Sequence, residues 1–462
     1  MAHEPVIQHS TMNWLQLISS KRLGKEDRSK PLEERRTEFQ RDYDRLIFSA
    51  AFRRLQNKTQ VFPLPGSIFV HNRLTHSLEV SSVGRSLGTD ISRELINRHP
   101  ELDNSEITGM GAIVSAACLA HDMGNPPFGH SGERAIRTYF SEGKGCSLQT
   151  LITPDGKELS EAEWTDMTRF DGNANTFRLL THHFNGRRKG GFVMTYATLA
   201  AIVKYPYGSD RAIRKPKFGY FESERQTFLN IAESLGISCL EKDSNGSMLH
   251  ARHPLVYLVE AADDICYEIM DIEDAHKLRI LSDEQTMELY LAFFEPQERE
   301  RLRKSYRDDT DIDDQIVYFR SCVINALERA CVQVFLDHEE EILNGTFKNS
   351  LIDHLPPLLL QAYRACEEVA QNRIYCCKEV TDVDLAGYHI IYTLLELMTD
   401  AVLAPEKAYS SLLLAHVPPQ YEVRAPRIGN RLMAVLDYLS GMTDVYALDL
   451  YRKINGHSLP SV

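Results

Sequence analysis

His121 and Asp122 stand side by side at the end of an apolar stretch, residues 113–120. An imidazole offers a neutral nitrogen and a carboxylate a hard anionic oxygen, so the pair can reach one metal ion. Alone, the pair equally fits a helix-terminal histidine beside a solvated aspartate. The residues that follow sharpen the metal reading. The run is His121-Asp122-Met123-Gly124-Asn125-Pro126-Pro127-Phe128-Gly129-His130-Ser131-Gly132-Glu133. Its glycines and prolines force a compact loop that folds His130 and Glu133 back toward the helix end. These two are three apart and can share one face of a following helix. The expectation is a metal pair beside an acid/base pair.

Other residues could complete such a site. Arg73 and His76 are three apart on an upstream helix. His76 would be a third ligand and Arg73 a phosphate clamp; on its own, such a histidine also reads as a core residue. A fourth ligand should be a carboxylate. Glu260, Asp263, Asp264, Tyr267, Glu268 and Asp271 crowd one apolar helix, with Asp263, Tyr267 and Asp271 four apart. Burying such groups is costly unless they are paired or metal-bound, but spacing alone does not choose between Asp263 and Asp264. A phosphorylated ligand also needs positive partners. Lys204 ends a helix, and Arg211, Arg214, Lys215 and Lys217 follow in a loop with interleaved tyrosines. There is no GxxxxGK[ST] loop, no Rossmann glycine fingerprint and no GxSxG elbow, so side chains and metal must do the recognition.

The elements that position these residues read as helices, because apolar residues recur at three- and four-residue spacing. Expected stretches are residues 46–54, 74–87, 107–119, 255–270 (with Pro254 in the first turn), 385–398 and 431–439. Pro63, Pro65 and Gly66 predict a turn, Pro154-Asp155-Gly156 a short hairpin, residues 205–220 a long loop near the site, and residues 308–314 a solvated helix start. The fold class expected is all-α.

At 462 residues, with 43% hydrophobic and 25% charged residues, the chain can bury a core without disulfides or structural metal. A net charge of −13 excludes a general nucleic-acid coat protein but leaves room for a local basic pocket. Nine scattered cysteines without a CxxC pair fit free thiols rather than a zinc ribbon or secreted framework. No signal-peptide pattern and no apolar run near the roughly 18 residues of a membrane span are present. A cytoplasmic protein is expected.

Taken in order, these segments resemble the HD-domain deoxynucleoside triphosphate triphosphohydrolases. The resemblance rests on Phe48 to Phe62, Arg73-Leu74-Thr75-His76-Ser77, the His121 run, Phe170-Asp171-Gly172-Asn173-Ala174-Asn175, Lys204-Tyr205-Pro206, Glu260-Ala261-Ala262-Asp263-Asp264-Ile265 and Ser440-Gly441-Met442-Thr443-Asp444. It spans about residues 35–455. It implies an N-terminal segment (1–35), an HD phosphohydrolase core (36–290) and a C-terminal helical region (291–462) packing on that core. It implies His76, His121, Asp122 and Asp263 as ligands of one divalent metal, manganese or magnesium first, with iron, nickel or zinc as further candidates. Asp263 is preferred because the family pattern has a tyrosine and an aspartate at four-residue steps after the ligand. His130 and Glu133 would be the catalytic pair, with His130 as acid/base or nucleophile. Gln60 would touch sugar or base, Arg73, Lys204 and Lys217 phosphates, Tyr267 and Asp271 the sugar, and Asn125 the substrate. The implied reaction takes a dNTP, dGTP favoured, to deoxynucleoside and triphosphate. Implied partners are a homo-oligomer, often a hexamer in the family's habit, and a single-stranded DNA or nucleotide effector, with no membrane. Another HD nucleotidase or phosphodiesterase, or a non-catalytic nucleotide or single-stranded DNA binder, would share many of these features. Where many relatives carry a histidine, this chain has Gly172.

Overall fold

A computed structural model describes residues 11–26, 36–63, 70–153, 155–213, 215–244, 246–305 and 311–457, and nearly all their regular structure is α-helix. Arg214, Pro154, Pro65, Gly66 and residues 308–310, singled out above, lie outside the described residues. Helix α1 (Glu38–Ile47) starts at a Thr37/Gln40 capping box. The stretch expected to run on to Arg54 is broken at Phe48, because the Ser49 hydroxyl accepts from Phe52 N and starts a separate turn, Ala50–Arg53. Helix α2 (Arg73–Arg98) begins at an Asn72/Thr75 box. It outruns the expected residues 74–87, since its last turns bury only a narrow stripe with Ile91 and Leu95.

Helix α3 (Met110–Ala120) is buried along almost its whole length. It packs against α1, α2, α6 (Tyr196–Ile202) and α7 (Leu255–Lys277). Its approach to α2 is close because small residues face each other. A Cβ on Gly88 would stand 2.9 Å from Gly111 Cα, and the Ser81 hydroxyl donates to Ser115 O at 2.9 Å. This crossing brings His76, near the start of α2, beside His121 at the end of α3. Between α3 and α6 lie α4 (Gly129–Ser141) and α5 (Gly172–Thr181). Beside the expected hairpin at residues 154–156, of which Pro154 lies outside the described residues, Ile152 and Leu159 form an isolated bridge. The regular strands are β1 (Cys239–Lys242) and β2 (Met248–His250), an antiparallel pair too short to show alternation in sequence.

The C-terminal part adds α8 (Ile312–Asp337), α9 (Pro357–Val369), α10 (Lys378–Leu403), α11 (Ile428–Ser440) and α12 (Asp444–Ile454). The apolar interior forms two clusters. One gathers α1, α2, α3, α6, α7, α8 and α9; the other gathers α4 with α10, α11 and α12. Helix α5 straddles them, giving Phe177 and Leu180 to the first and Ala174 to the second. Its Arg178 is buried and forks onto Asp437 of α11, with both bonds at 2.8 Å, and reaches Glu224 at 2.8 Å. Removing one partner of such a buried pair typically costs ~3–5 kcal/mol, because the other charge stays uncompensated. No helix among the described residues is long and apolar enough to cross a membrane.

Candidate active site

The α2–α3 crossing sets two imidazoles together, with ring centroids 5.5 Å apart. Ligand atoms of His76, His121 and Asp122 all lie within 4.8 Å of one another. Asp263, on α7, reaches both histidines: its Oδ1 is 3.0 Å from His76 Nε2 and 3.4 Å from His121 Nε2. Two donors each about 2.1 Å from one ion stand about 3.0 Å apart at a right angle and about 3.4 Å at the tetrahedral angle. The donor set therefore fits a small divalent ion. His121 Nδ1 is tied to Cys118 O at 2.6 Å, which fixes the proton on that nitrogen. Its Nε2 is buried with no hydrogen-bond partner. Burial works against charge here, yet the carboxylates of Asp122 and Asp263 lift the His121 pKa to about 9. Burial likewise opposes ionisation of Asp263, and the two histidines overcome it and hold its carboxyl well below the usual range. The cluster demands a cation, which a metal can supply in place of a proton. Asp264 differs: burial pushes it up to about 8, and no hydrogen bond or ion pair joins it to either histidine among the described residues.

Asp122 is held from two further sides. Arg73 donates to its Oδ2 and Asn125 Nδ2 to its Oδ1, the latter at 2.5 Å. The loop after Asp122 is fastened to α5, where Thr176 Oγ1 accepts from Gly124 N and donates to His121 O, and Asn175 Nδ2 donates to Gly124 O. Phe128 and Gly129 then adopt left-handed φ values of +60° and +53°, an uncommon state for phenylalanine. This turn starts α4 and delivers His130, whose side chain is 75% exposed, above the buried Glu133. His130 Nδ1 lies 3.1 Å from Glu133 Oε2, leaving Nε2 free. Glu133 Oε1 accepts from Gly172 N at 2.7 Å. Burial would raise the Glu133 pKa, but His130, Lys217 and the Gly172 amide together bring it down to about 2. Glu133 is thus a fixed anion that orients His130 and is a poor proton acceptor.

These groups face one cavity of about 260 Å³, lined also by Gln60, Lys204, Lys217, Tyr205 and Tyr267. Each cation already touches a carboxylate: Lys204 meets Glu260 at 3.1 Å, and Lys217 meets Asp171 at 3.2 Å and Glu133 at 3.7 Å. Arg73 is engaged by Asp122, so it holds that carboxylate in place whatever else it binds. Gln60 Oε1 and Arg73 Nε, like His121 Nε2, are buried without partners. His76 lies below the cavity lining, against Asp263. Asp271 is also off the lining and buried, accepting from the Tyr375 hydroxyl at 2.8 Å. Tyr375 follows a π-type turn (Ala370–Ile374), and its ring centroid is 6.0 Å from that of Tyr267. Sequence reading passed over Tyr375, 104 residues from its partner, because nothing local marks it. Lys58 was also missed; its buried ammonium donates to Asn125 O and Ser440 O.

With this geometry in place, the comparisons with known proteins are specific. The HD domain family matches residues 73–159 and the phosphohydrolase-associated domain family residues 354–453. A deoxyguanosinetriphosphate triphosphohydrolase-like protein of Synechocystis sp. is 39% identical across 97% of this chain and 100% of the relative. One from Pseudomonas aeruginosa is 37% identical over the same shares. A deoxyguanosinetriphosphate triphosphohydrolase of Cronobacter sakazakii is 31% identical across 90% of this chain and 93% of its own.

Proposed function

The chain belongs to the family of deoxyguanosinetriphosphate triphosphohydrolase-like proteins with an HD domain, and we propose that it hydrolyses a deoxynucleoside triphosphate, dGTP first, to deoxynucleoside and intact triphosphate. The observation that carries this reading is that one cavity holds His130 and Glu133 together with two buried polar atoms that make no hydrogen bond, Gln60 Oε1 and Arg73 Nε, and with His121, whose Nε2 faces only the Asp263 and Asp122 carboxylates at 3.4 and 3.7 Å. Buried polar atoms are otherwise almost always satisfied, so these are read as ligand contacts.

His76, His121, Asp122 and Asp263 would hold a divalent ion, manganese or magnesium first, which polarises a phosphoryl oxygen when bound. The cavity lining supports that need. It sets Arg73, Lys204 and Lys217 against Asp122, Glu133, Glu260 and Asp263, leaving no surplus of positive charge for a polyphosphate. Lys204 and Lys217 bind the phosphate tail, sharing their charge with the carboxylates they already touch. Gln60 and Asn125 contact the nucleoside end, and Tyr267 faces the sugar, with Asp271 behind it holding the Tyr375 hydroxyl. Water attacks the α-phosphorus and the bond to the 5′-oxygen breaks. His130 serves as acid/base through Nε2, with Glu133 keeping Nδ1 protonated. The active form is a homo-oligomer in the cytoplasm, open to a nucleotide or single-stranded DNA effector.

The test is incubation with each of the four dNTPs and manganese or magnesium in oxygen-18 water, with chromatography and mass spectrometry of products. Label on the triphosphate and none on the deoxynucleoside 5′-hydroxyl is expected. A deoxynucleoside monophosphate as first product would overturn the reading.

A further inference from the structure

The segment that matches the phosphohydrolase-associated domain family lies far from the metal ligands in sequence, yet it grips the loop that carries His130. Asp444, at the start of α12, is buried and accepts two backbone N–H groups, Thr59 N at 2.7 Å on Oδ2 and Phe128 N at 2.9 Å on Oδ1. Thr59 precedes Gln60, and Phe128 stands two residues before His130. The residues on either side repeat the pattern. Lys58 Nζ bridges Asn125 O at 2.5 Å and Ser440 O at 2.8 Å. Ser131 Oγ donates to Asp384 O at 2.5 Å, and Arg134 pairs with the Asp384 carboxylate at 2.9 Å. On α10, Gly387 leaves a notch for the Phe128 ring; a Cβ there would meet Phe128 Cγ at 2.4 Å.

We propose that Asp444 is a positioning residue of the active site, holding the left-handed Phe128–Gly129 turn so that His130 and Gln60 face the substrate, and that the C-terminal region acts on catalysis through it. A left-handed phenylalanine persists only where its surroundings over-determine it, and here the Asp444 carboxylate and the Gly387 notch do so. Both oxygens of Asp444 are used as acceptors, one for Thr59 N and one for Phe128 N, so an asparagine nitrogen can replace neither. The metal ligands lie outside this clamp. Loosening it moves His130 and spares the metal.

The inference rests on the hydrolytic reading above, and its test separates the two. Full-length Asp444→Asn, Asp444→Ala and the milder Ser131→Ala would be compared with the parent for kcat, KM, bound metal, thermal melting and amide exchange across residues 123–134. A displacement of about 1 Å can cost on the order of a hundredfold in rate. Asp444→Asn should lose kcat by on the order of tenfold or more, with KM within about threefold, metal content unchanged and faster exchange in that peptide. Ser131→Ala should lose about threefold in kcat with unchanged melting, which keeps the test open if the Asp444 variants fold poorly. Parental exchange in residues 123–134 in all three variants overturns the clamp, as does a kcat loss that merely follows metal loss or unfolding. If the parent releases no deoxynucleoside, the hydrolytic reading fails while the exchange measurement still decides the clamp.

Discussion

Replacing Gly172 with alanine isolates the contact between α5 and the catalytic loop. The backbone permits the change, since φ at 172 is not in the left-handed region, and alanine in place of glycine favours a helix by up to about 1 kcal/mol. Space does not permit it: a Cβ would stand 2.0 Å from Asn125 Oδ1 and 2.9 Å from Glu133 Oε1. The Asn125 amide must swing off Asp122, giving up a hydrogen bond to a charged acceptor worth ~1.5–3 kcal/mol. At about 1.36 kcal/mol per decade of rate, that is roughly tenfold to hundredfold. The same range follows from the loss of an outer partner of a metal ligand, about 10–100-fold in affinity or activity. Titrating manganese against kcat/KM, with elemental analysis of bound metal, should show that loss while the melting temperature stays within a few degrees of the parent. Gly172→Ala with parental kcat/KM at both limiting and saturating manganese would refute the reasoning. Gly172→His should be no better, because the clash begins at Cβ.

Three further outcomes follow from the geometry. Asp263→Ala should strip the metal and activity, whereas Asp264→Ala should keep bound metal; elemental analysis of both decides between the adjacent aspartates. His130→Ala should retain metal and nucleotide binding and lose turnover by on the order of a hundredfold; single-turnover kinetics with a bound-nucleotide control reads this, and a parental rate would make His130 a loop residue only. His71 lies 2.9 Å from Asp274 and 3.1 Å from Glu79, and although burial alone would lower its pKa, these carboxylates raise it from 6.5 to about 10. The stabilisation is complete below pH 6.5 and is lost as pH climbs toward 10, so denaturant midpoints should fall over that window and the fall should flatten in His71→Gln.

How much of this the sequence carried depends on the kind of signal. Helix interiors were readable from dense apolar content, as in α3 and α7, which are buried on nearly every side. Their ends were not: α7 runs to Lys277 and α10 starts at Lys378, beyond the expected residues 270 and 385, because the α10 start is an exposed polar turn and the α7 end buries charged residues such as Glu273 and Asp274, and neither carries an apolar period. The single helix expected through Arg54 missed that a serine hydroxyl can restart a helix within two residues. The histidine–aspartate run was legible since its glycines and prolines act locally. The Asn125–Asp122 and Gly172–Glu133 bonds were not, because each depends on how α5 packs. Tyr375 and Asp444 meet their partners only across the assembled core, where no spacing rule reaches.

The buried fork between Arg178 and Asp437 has a consequence during synthesis. The two residues are 259 positions apart. At ribosomal speeds of about 5–20 residues per second, Arg178 waits roughly 13–50 s for its partner. Throughout that interval the nascent chain lacks the α11 surface that covers α5, and the Arg178 guanidinium has only Glu224, Ser223 and His182 as partners. A chain that stops before residue 437 cannot complete the second apolar cluster, to which α11 and α12 contribute.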